Sequence, residues 1–274
     1  MASYNSISVE KLARLTGIPK GPVVIDLRDD EDFAALPFLL PASIRRPYAS
    51  ASQWAADYRG LWVVAVCQKG KKLSEGAAAW LRVAGAEAES LEGGIEAWKA
   101  AGLPLVPVAA IPGGKTDGGS LWVTRSRPKI DRIACPWLIR RFVDPAATFL
   151  FVAPSEVEAV ADRFGATPFD IENVFFSHRG ERCTFDTMIE EFGLSFPALE
   201  RLALIVRAAD TDRLDLVPEA AGLLAASLGL SRMFAGDLEQ LEAGMVLYDA
   251  FFRWARDATQ EKHEWISHVA RKGA

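Results

Sequence analysis

Cys67 is the first residue to ask about. It ends the apolar run "WVVAVC" (62–67), is followed at once by "QKGKK" (68–72), and then by a stretch of small residues with helical spacing. That order predicts a sulfur at the tip of a buried strand, a few residues before a helix. The backbone N–H groups of Gln68, Lys69, Gly70, Lys71 and Lys72 can then curl around an anion, with Gly70 supplying the torsions a tight curl needs. A helix N-terminus and three lysines favour negative charge on sulfur. A thiolate is the nucleophile of sulfur exchange, and a persulfide is an anion suited to the same cradle. The plainer alternative is a small core residue that merely closes a strand.

Two further stretches carry chemistry. "TRSRPKIDRIACPWLIRRF" (124–142) holds Arg125, Arg127, Lys129, Arg132, Arg140 and Arg141 against one acid, Asp131. Arg125, Arg127 and Arg132 are candidates to hold an oxyanion, because the guanidinium fork matches tetrahedral oxygens. Against this, Arg140 and Arg141 suit a solvated helix face and Arg132 an ion pair. "FFSHRGERCTFDTMIEEFGL" (175–194) sets His178 and Cys183 either side of an "RGER" turn, with Asp186 beyond. "RAADTDRLDL" (207–216) adds Asp210, Asp212 and Asp215. His178, Cys183, Asp186, Asp210 and Asp212 form a candidate pocket for a divalent metal such as zinc or iron. Their spacing fits no standard ligand motif, and acids near helix ends are commonly caps. Cys135 reads as core, and His263 and His268 as solvent-facing.

The surrounding elements must position these groups. "VVIDL" (23–27) and "LWVVAV" (61–66) are unbroken apolar runs, the pattern of strands buried on both faces. Helices are expected at 74–84, from a Ser74 cap, and at 94–101. Short strands alternating with helices predict an α/β fold, an open, mainly parallel sheet. "VAAIPGGKTDGGS" (108–120), with two Gly-Gly pairs, reads as a flexible linker. Beyond it, strands at 121–124 and 147–152 accompany helical spacing at 131–142, 155–164, 184–192, 197–209, 218–228 and 238–256. The expected organisation is therefore residues 1–107, a linker 108–120, and a mostly α second domain with a few strands at 121–274.

Composition narrows the function classes. The chain has 274 residues, half of them hydrophobic, and eight tryptophans, enough for packed cores. Its formal charge is −5, and the part after residue 107 has 19 basic against 24 acidic residues, which opposes general nucleic-acid binding. Three well-separated cysteines fit a reducing compartment. The N-terminus lacks signal-peptide features and no apolar run is long enough to span a bilayer, so a soluble cytoplasmic protein without membrane association is expected. The oligomeric state is left open.

Four segments carry a family resemblance in the first part: "VVIDLRDDEDF" (23–33), "LPASI" (40–44), "CQKGKK" (67–72) and "LEGGIEAWKAAGLP" (91–104). In order and spacing they resemble the rhodanese-like sulfurtransferases, whose usual loop is C-x-x-G-x-R. The resemblance implies helices on both faces of the sheet and Cys67 as the nucleophile that carries sulfur as a persulfide. It also implies that residues 68–72 form the cradle and that no cofactor is required. The implied partners are small sulfur donors such as thiosulfate, and thiol acceptors. Lys72 stands where arginine is common, keeping the charge without the two-pronged hydrogen bonding. Leu73, Leu39 and Ala42 also depart from the usual residues. Asp26, Arg28, Gly93, Gly94 and Trp98 read as structural.

In the second part, "RPKIDRIACPWLIRRFVDP", "FSHRGERCTFDTMIEEFGL" and "IVRAADTDRLDL" resemble the C-terminal domain of ChrB-type chromate-resistance proteins. That implies an association with chromate stress and chromate as a candidate oxyanion, without naming a reaction. The readings are then a sulfurtransferase linked to chromate resistance, with Cys67 also a candidate electron donor in thiol-dependent chromate reduction; an oxyanion- or metal-sensing protein with a redox-responsive or inactive rhodanese module; and a DNA-binding regulator, the last disfavoured by charge and by the lack of a recognition helix.

Overall fold

The computed structural model describes residues 5–114 and 116–261; His263 and His268 lie outside the described residues. In the first part the chain runs β1 (Ser6–Ile7), α1 (Val9–Leu15), β2 (Val23–Asp26), α2 (Asp30–Ala35), β3 (Phe38–Leu39), β4 (Ser43–Arg45) and α3 (Ala51–Trp54). It continues with β5 (Trp62–Val66), α4 (Lys72–Val83), β6 (Glu87–Leu91), α5 (Gly94–Ala100) and β7 (Val106–Pro107). Five strands form one sheet in the order β1-β6-β5-β2-β4, every pairing parallel.

The continuous apolar runs are explained by two cores. Ile25, Val63 and Ala65 point to one face and pack with Trp54, Tyr58, Ala77, Ala78 and Leu81 of α3, α4 and their flank. Val24, Val64 and Val66 point to the other, with Leu12 of α1 and Ile95 and Trp98 of α5. A strand alternates its side chains, so only an all-apolar strand can serve helices on both faces.

The second part holds β8 (Leu121–Arg125), α6 (Asp131–Leu138), β9 (Thr148–Val152), α7 (Val157–Phe164), β10 (Thr167–Pro168), α8 (Thr184–Glu191), α9 (Pro197–Asp210), α10 (Glu219–Met233) and α11 (Asp237–Arg253). Its parallel sheet, β10-β8-β9, is small beside the helices. An aromatic core gathers Trp122, Trp137, Phe142, Phe169, Phe185 and Phe192. Each side chain of this size is worth about 1.5–3 kcal/mol when fully buried.

The two parts are not separate beads. The antiparallel β3–β7 pair carries Leu39 and Val106 into the aromatic core of the second part. Between residues 108 and 120 the chain makes short 3-10 turns, buries Ile111 in that same core, and fixes Ser120 through Asp144. Ala42 N–H donates to Phe142 O at 2.7 Å, and Arg45 N–H to Thr116 O at 2.6 Å. An apolar cleft of about 440 Å³ lies along this junction, lined by Trp98 and Leu103 on one side and Phe142, Phe196 and Phe252 on the other. Among the described residues no helix is long and apolar enough to cross a membrane.

Candidate functional site

Cys67 follows β5 directly, at the carboxyl end of the central strand, and α4 begins at Lys72. The helix therefore starts two residues before the expected Ser74 cap. Ser74 is instead its third residue, fully buried, with Oγ 3.2 Å from Cys67 Sγ and donating to Lys71 O at 3.1 Å. Lys71 N–H also donates to Cys67 Sγ, at 3.3 Å. The thiol thus lies against the Lys71 amide and the Ser74 hydroxyl at the start of the helix, and Cys67 is only 4% exposed. Lys69, Lys71 and Lys72 are exposed around it and form no ion pair among the described residues.

Glycines set the curl. Gly70 has φ +64°, and a Cβ there would lie 2.2 Å from Leu91 O. Gly94, with φ +61°, would put a Cβ 2.2 Å from Cys67 O. The two loops touch backbone to backbone: Ile95 N–H donates to Cys67 O at 3.0 Å and Glu96 N–H to Gln68 O at 3.2 Å. Below them the buried Asp26–Arg28 pair ties the end of β2 to the chain ahead, Arg28 also donating to Leu36 O and Phe38 O. Gln68 reaches sideways, donating to Glu96 at 3.0 Å.

A second constellation forms around His178. Its Nε2 lies 3.2 Å from Asp210 Oδ2, 3.5 Å from Asp170 Oδ1 and 3.6 Å from Asp131 Oδ2. Asp131 opens α6 and is completely buried. Thr184 and Phe185 N–H donate to its Oδ2, while Oδ1 has no hydrogen-bond partner among the described residues. Ile130, at φ +31°, is held in that turn by Tyr248 OH donating to its carbonyl at 3.0 Å. Burial, then the charges of Asp210 and Asp170, push the Asp131 carboxyl well above the usual carboxylate range. Hydrogen bonds to Asp170 and Asp210 raise His178 to about 10. Burial likewise pushes the Cys135 and Cys183 thiols up.

The expected metal set is brought together only in part. His178 and Asp210 meet, with Cys183 buried beside Asp131. Asp186 is taken by Arg207, at 2.6 and 2.8 Å, and by the Cys183 N–H at the start of α8. Asp212, at φ +57°, and Asp215 are exposed and outside the group. Asp131 and Asp170 complete it. Neither stands out in the sequence: Asp131 is the lone acid in a basic run, and Asp170 sits in "FDIEN", which has no ligand-like spacing.

The three arginines do not converge either. Arg127 donates from its guanidinium to the carbonyls of Ser231, Phe234 and Ala235, and its backbone N–H donates to Asp237, so it closes the end of α10 and the start of α11. Arg125 and Arg132 both pair with Asp170, at 3.4 and 3.3 Å, and Arg132 also donates to Ser126 O. Of the other pair, expected on a solvated face, Arg141 clamps Asp249 of α11 with two 2.8 Å bonds. Arg140 pairs with the exposed Glu242. Cys135 is in the core, as its apolar setting implied.

A parallel sheet with helices on both faces, a cysteine loop at its central strand and a mostly helical second part define the class of protein. Residues 8–101 match the family described as Rhodanese-like domain, and residues 122–255 that described as ChrB, C-terminal domain. The chain joins a rhodanese-like domain to a ChrB C-terminal domain. Protein ChrB of Cupriavidus metallidurans is 37% identical over 131 residues, 47% of this chain, and the match spans 39% of that protein's length. Among solved structures, a rhodanese-related protein from Thermoplasma volcanium is 26% identical (TM-score 0.33, covering 38% of this chain and 98% of that one). A thiosulfate sulfurtransferase from Pseudomonas aeruginosa is 25% identical (TM-score 0.33, covering 38% and 19%).

Proposed function

We propose that this protein is a sulfurtransferase acting through Cys67 and associated with chromate resistance. The observation that carries the reading is the placement of Cys67 Sγ against the first turn of α4, 3.3 Å from Lys71 N and 3.2 Å from Ser74 Oγ. Cys67 thiolate attacks the sulfane sulfur of a donor such as thiosulfate. The donor's S–S bond breaks, sulfite leaves with the bonding pair, and Cys67 carries a persulfide. A thiolate or cyanide acceptor then attacks the terminal sulfur and Cys67 leaves as thiolate. The Ser74 hydroxyl suits both charge states: it donates to Lys71 O beside a neutral thiol and can turn to donate to an anionic sulfur. The exposed lysines 69, 71 and 72 supply the positive potential that draws an anionic donor.

The test is thiosulfate-dependent sulfur transfer to cyanide and to dithiothreitol by the parent and by Cys67→Ser. Turnover in the parent, absent in the variant, with a mass gain of one sulfur atom on the Cys67 peptide, is expected. Folded, reduced parent protein that takes up no sulfur overturns the reading. The second reading is a chromate-stress sensor in which the rhodanese module is redox-responsive or inactive. Direct oxyanion binding at Arg125 and Arg132 has less support than a cation near His178, because Asp170 already occupies both guanidinium groups.

A further inference from the structure

We propose that Asp131, Asp170, His178 and Asp210 form a divalent-cation site, independent of Cys67. The group differs from an ordinary acidic patch in its geometry. Ligand atoms of Asp131, Asp170 and His178 lie within 4.8 Å of one another. The three distances from His178 Nε2 to carboxylate oxygens run from 3.2 to 3.6 Å. A tetrahedral shell with metal–ligand bonds of about 2.0–2.2 Å places its ligand atoms about 3.3–3.6 Å apart, close to the three distances from His178 to its carboxylate neighbours.

An independent observation points to a ligand. Asp131 is 0% exposed, one of its oxygens faces His178, and the other, Oδ1, is buried without a hydrogen-bond partner among the described residues. A buried carboxyl oxygen left without a partner costs free energy unless a proton or a cation completes it. Charge matching agrees. Asp170 has Arg125 and Arg132, whereas Asp131 and Asp210 have His178 as their sole cationic contact among the described residues.

The surroundings are those of an oriented site. Thr184 Oγ1 donates to Asp170 Oδ1 at 2.9 Å, Arg132 Nε holds Asp170 Oδ2, and Thr184 N–H fixes Asp131 Oδ2 at 2.6 Å. Such outer contacts aim the side chains that bind a metal. His178 and Arg125 are 42% and 41% exposed, so one side of the site meets solvent. One imidazole with several carboxylates favours Mn²⁺, Fe²⁺ or Zn²⁺ over Ca²⁺ and Mg²⁺, which prefer oxygen alone.

The experiment uses the full chain, stripped with chelator and titrated with Mn²⁺ while the free-ion electron paramagnetic resonance signal is followed. Zn²⁺ is then added as competitor. The parent and Cys67→Ser are expected to bind one Mn²⁺ per chain, displaced by Zn²⁺. Asp170→Asn and His178→Ala are expected to bind at least tenfold more weakly. Because Asp170 anchors two arginines, its variant can misfold. His178 is partly exposed, so His178→Ala with a circular-dichroism melt like the parent's keeps the test decisive. No saturable binding by the parent, or unchanged binding by folded His178→Ala, overturns the site.

Discussion

A cysteine's surroundings decide whether it reacts, and the three here differ. Cys67 sits among helix N-terminal donors next to exposed lysines, whereas Cys135 and Cys183 are sealed at 0% exposure. Burial, followed by nearby carboxylates, raises both of the latter thiols, which keeps them protonated and poor nucleophiles. Iodoacetamide should therefore alkylate Cys67 first in the folded protein, with Cys135 and Cys183 reacting only in denaturant. Peptide mass spectrometry reads this directly, and early labelling of Cys135 would contradict it. Ser74→Ala removes the hydroxyl beside sulfur while leaving α4 intact. Sulfur transfer should fall by at least about tenfold, the lower end for one lost hydrogen bond to a charged group, with little change in the melt.

At the scale of elements, the cysteine loop and the turn before α5 are one unit. Their backbones touch so closely that neither glycine can accept a side chain. Gly94→Ala forces an alanine into the left-handed region, about 1–2 kcal/mol by itself, and drives its Cβ into Cys67 O. Urea unfolding should show a loss of at least about 2 kcal/mol, with sulfur transfer reduced in parallel. Arg127 acts on a different pair of elements, joining the end of α10 to the start of α11. Arg127→Gln should lower stability by about 1–2 kcal/mol, the usual scale for a lost cap, without altering sulfur transfer. A change in activity at full stability would instead restore an anion-binding role for Arg127.

For the whole molecule, the junction matters most. Phe142 packs on Trp137, Phe196 and Phe252, and Gly17 of the first part lies so close to its ring that a Cβ there would stand 2.1 Å away. Leu39 and Val106 belong to the second part's core although the chain places them in the first. Such shared packing couples the halves. Tryptophan fluorescence and Cys67 labelling should report one coincident urea transition. Phe142→Ala, costing about 3–5 kcal/mol through the cavity it leaves, should shift both signals together. Two separated transitions in the parent would show that the junction carries little free energy.

What the sequence by itself determined is what neighbouring residues encode. The apolar runs of β2 and β5, the Cys67 loop, the glycine pair at 93–94 and the helical periods beyond residue 121 are contiguous signals. Each rests on local sterics and on which faces must be covered. Boundaries moved, by two residues at the start of α4, where the loop's hydrogen bonds to sulfur fix where the helix begins, and by five at the end of α10, which runs on to Met233. The cluster around His178 was decided by tertiary structure. Asp131 opens one helix, Asp210 closes another 79 residues on, and Asp170 stands in a turn that only the β10–β8 pairing brings alongside. The same folding withdrew Asp186 and Arg127 from the expected sites, since buried backbone and charge must find partners wherever packing puts them. No spacing rule could have foreseen those partners, because they are chosen in space after the chain has closed on itself.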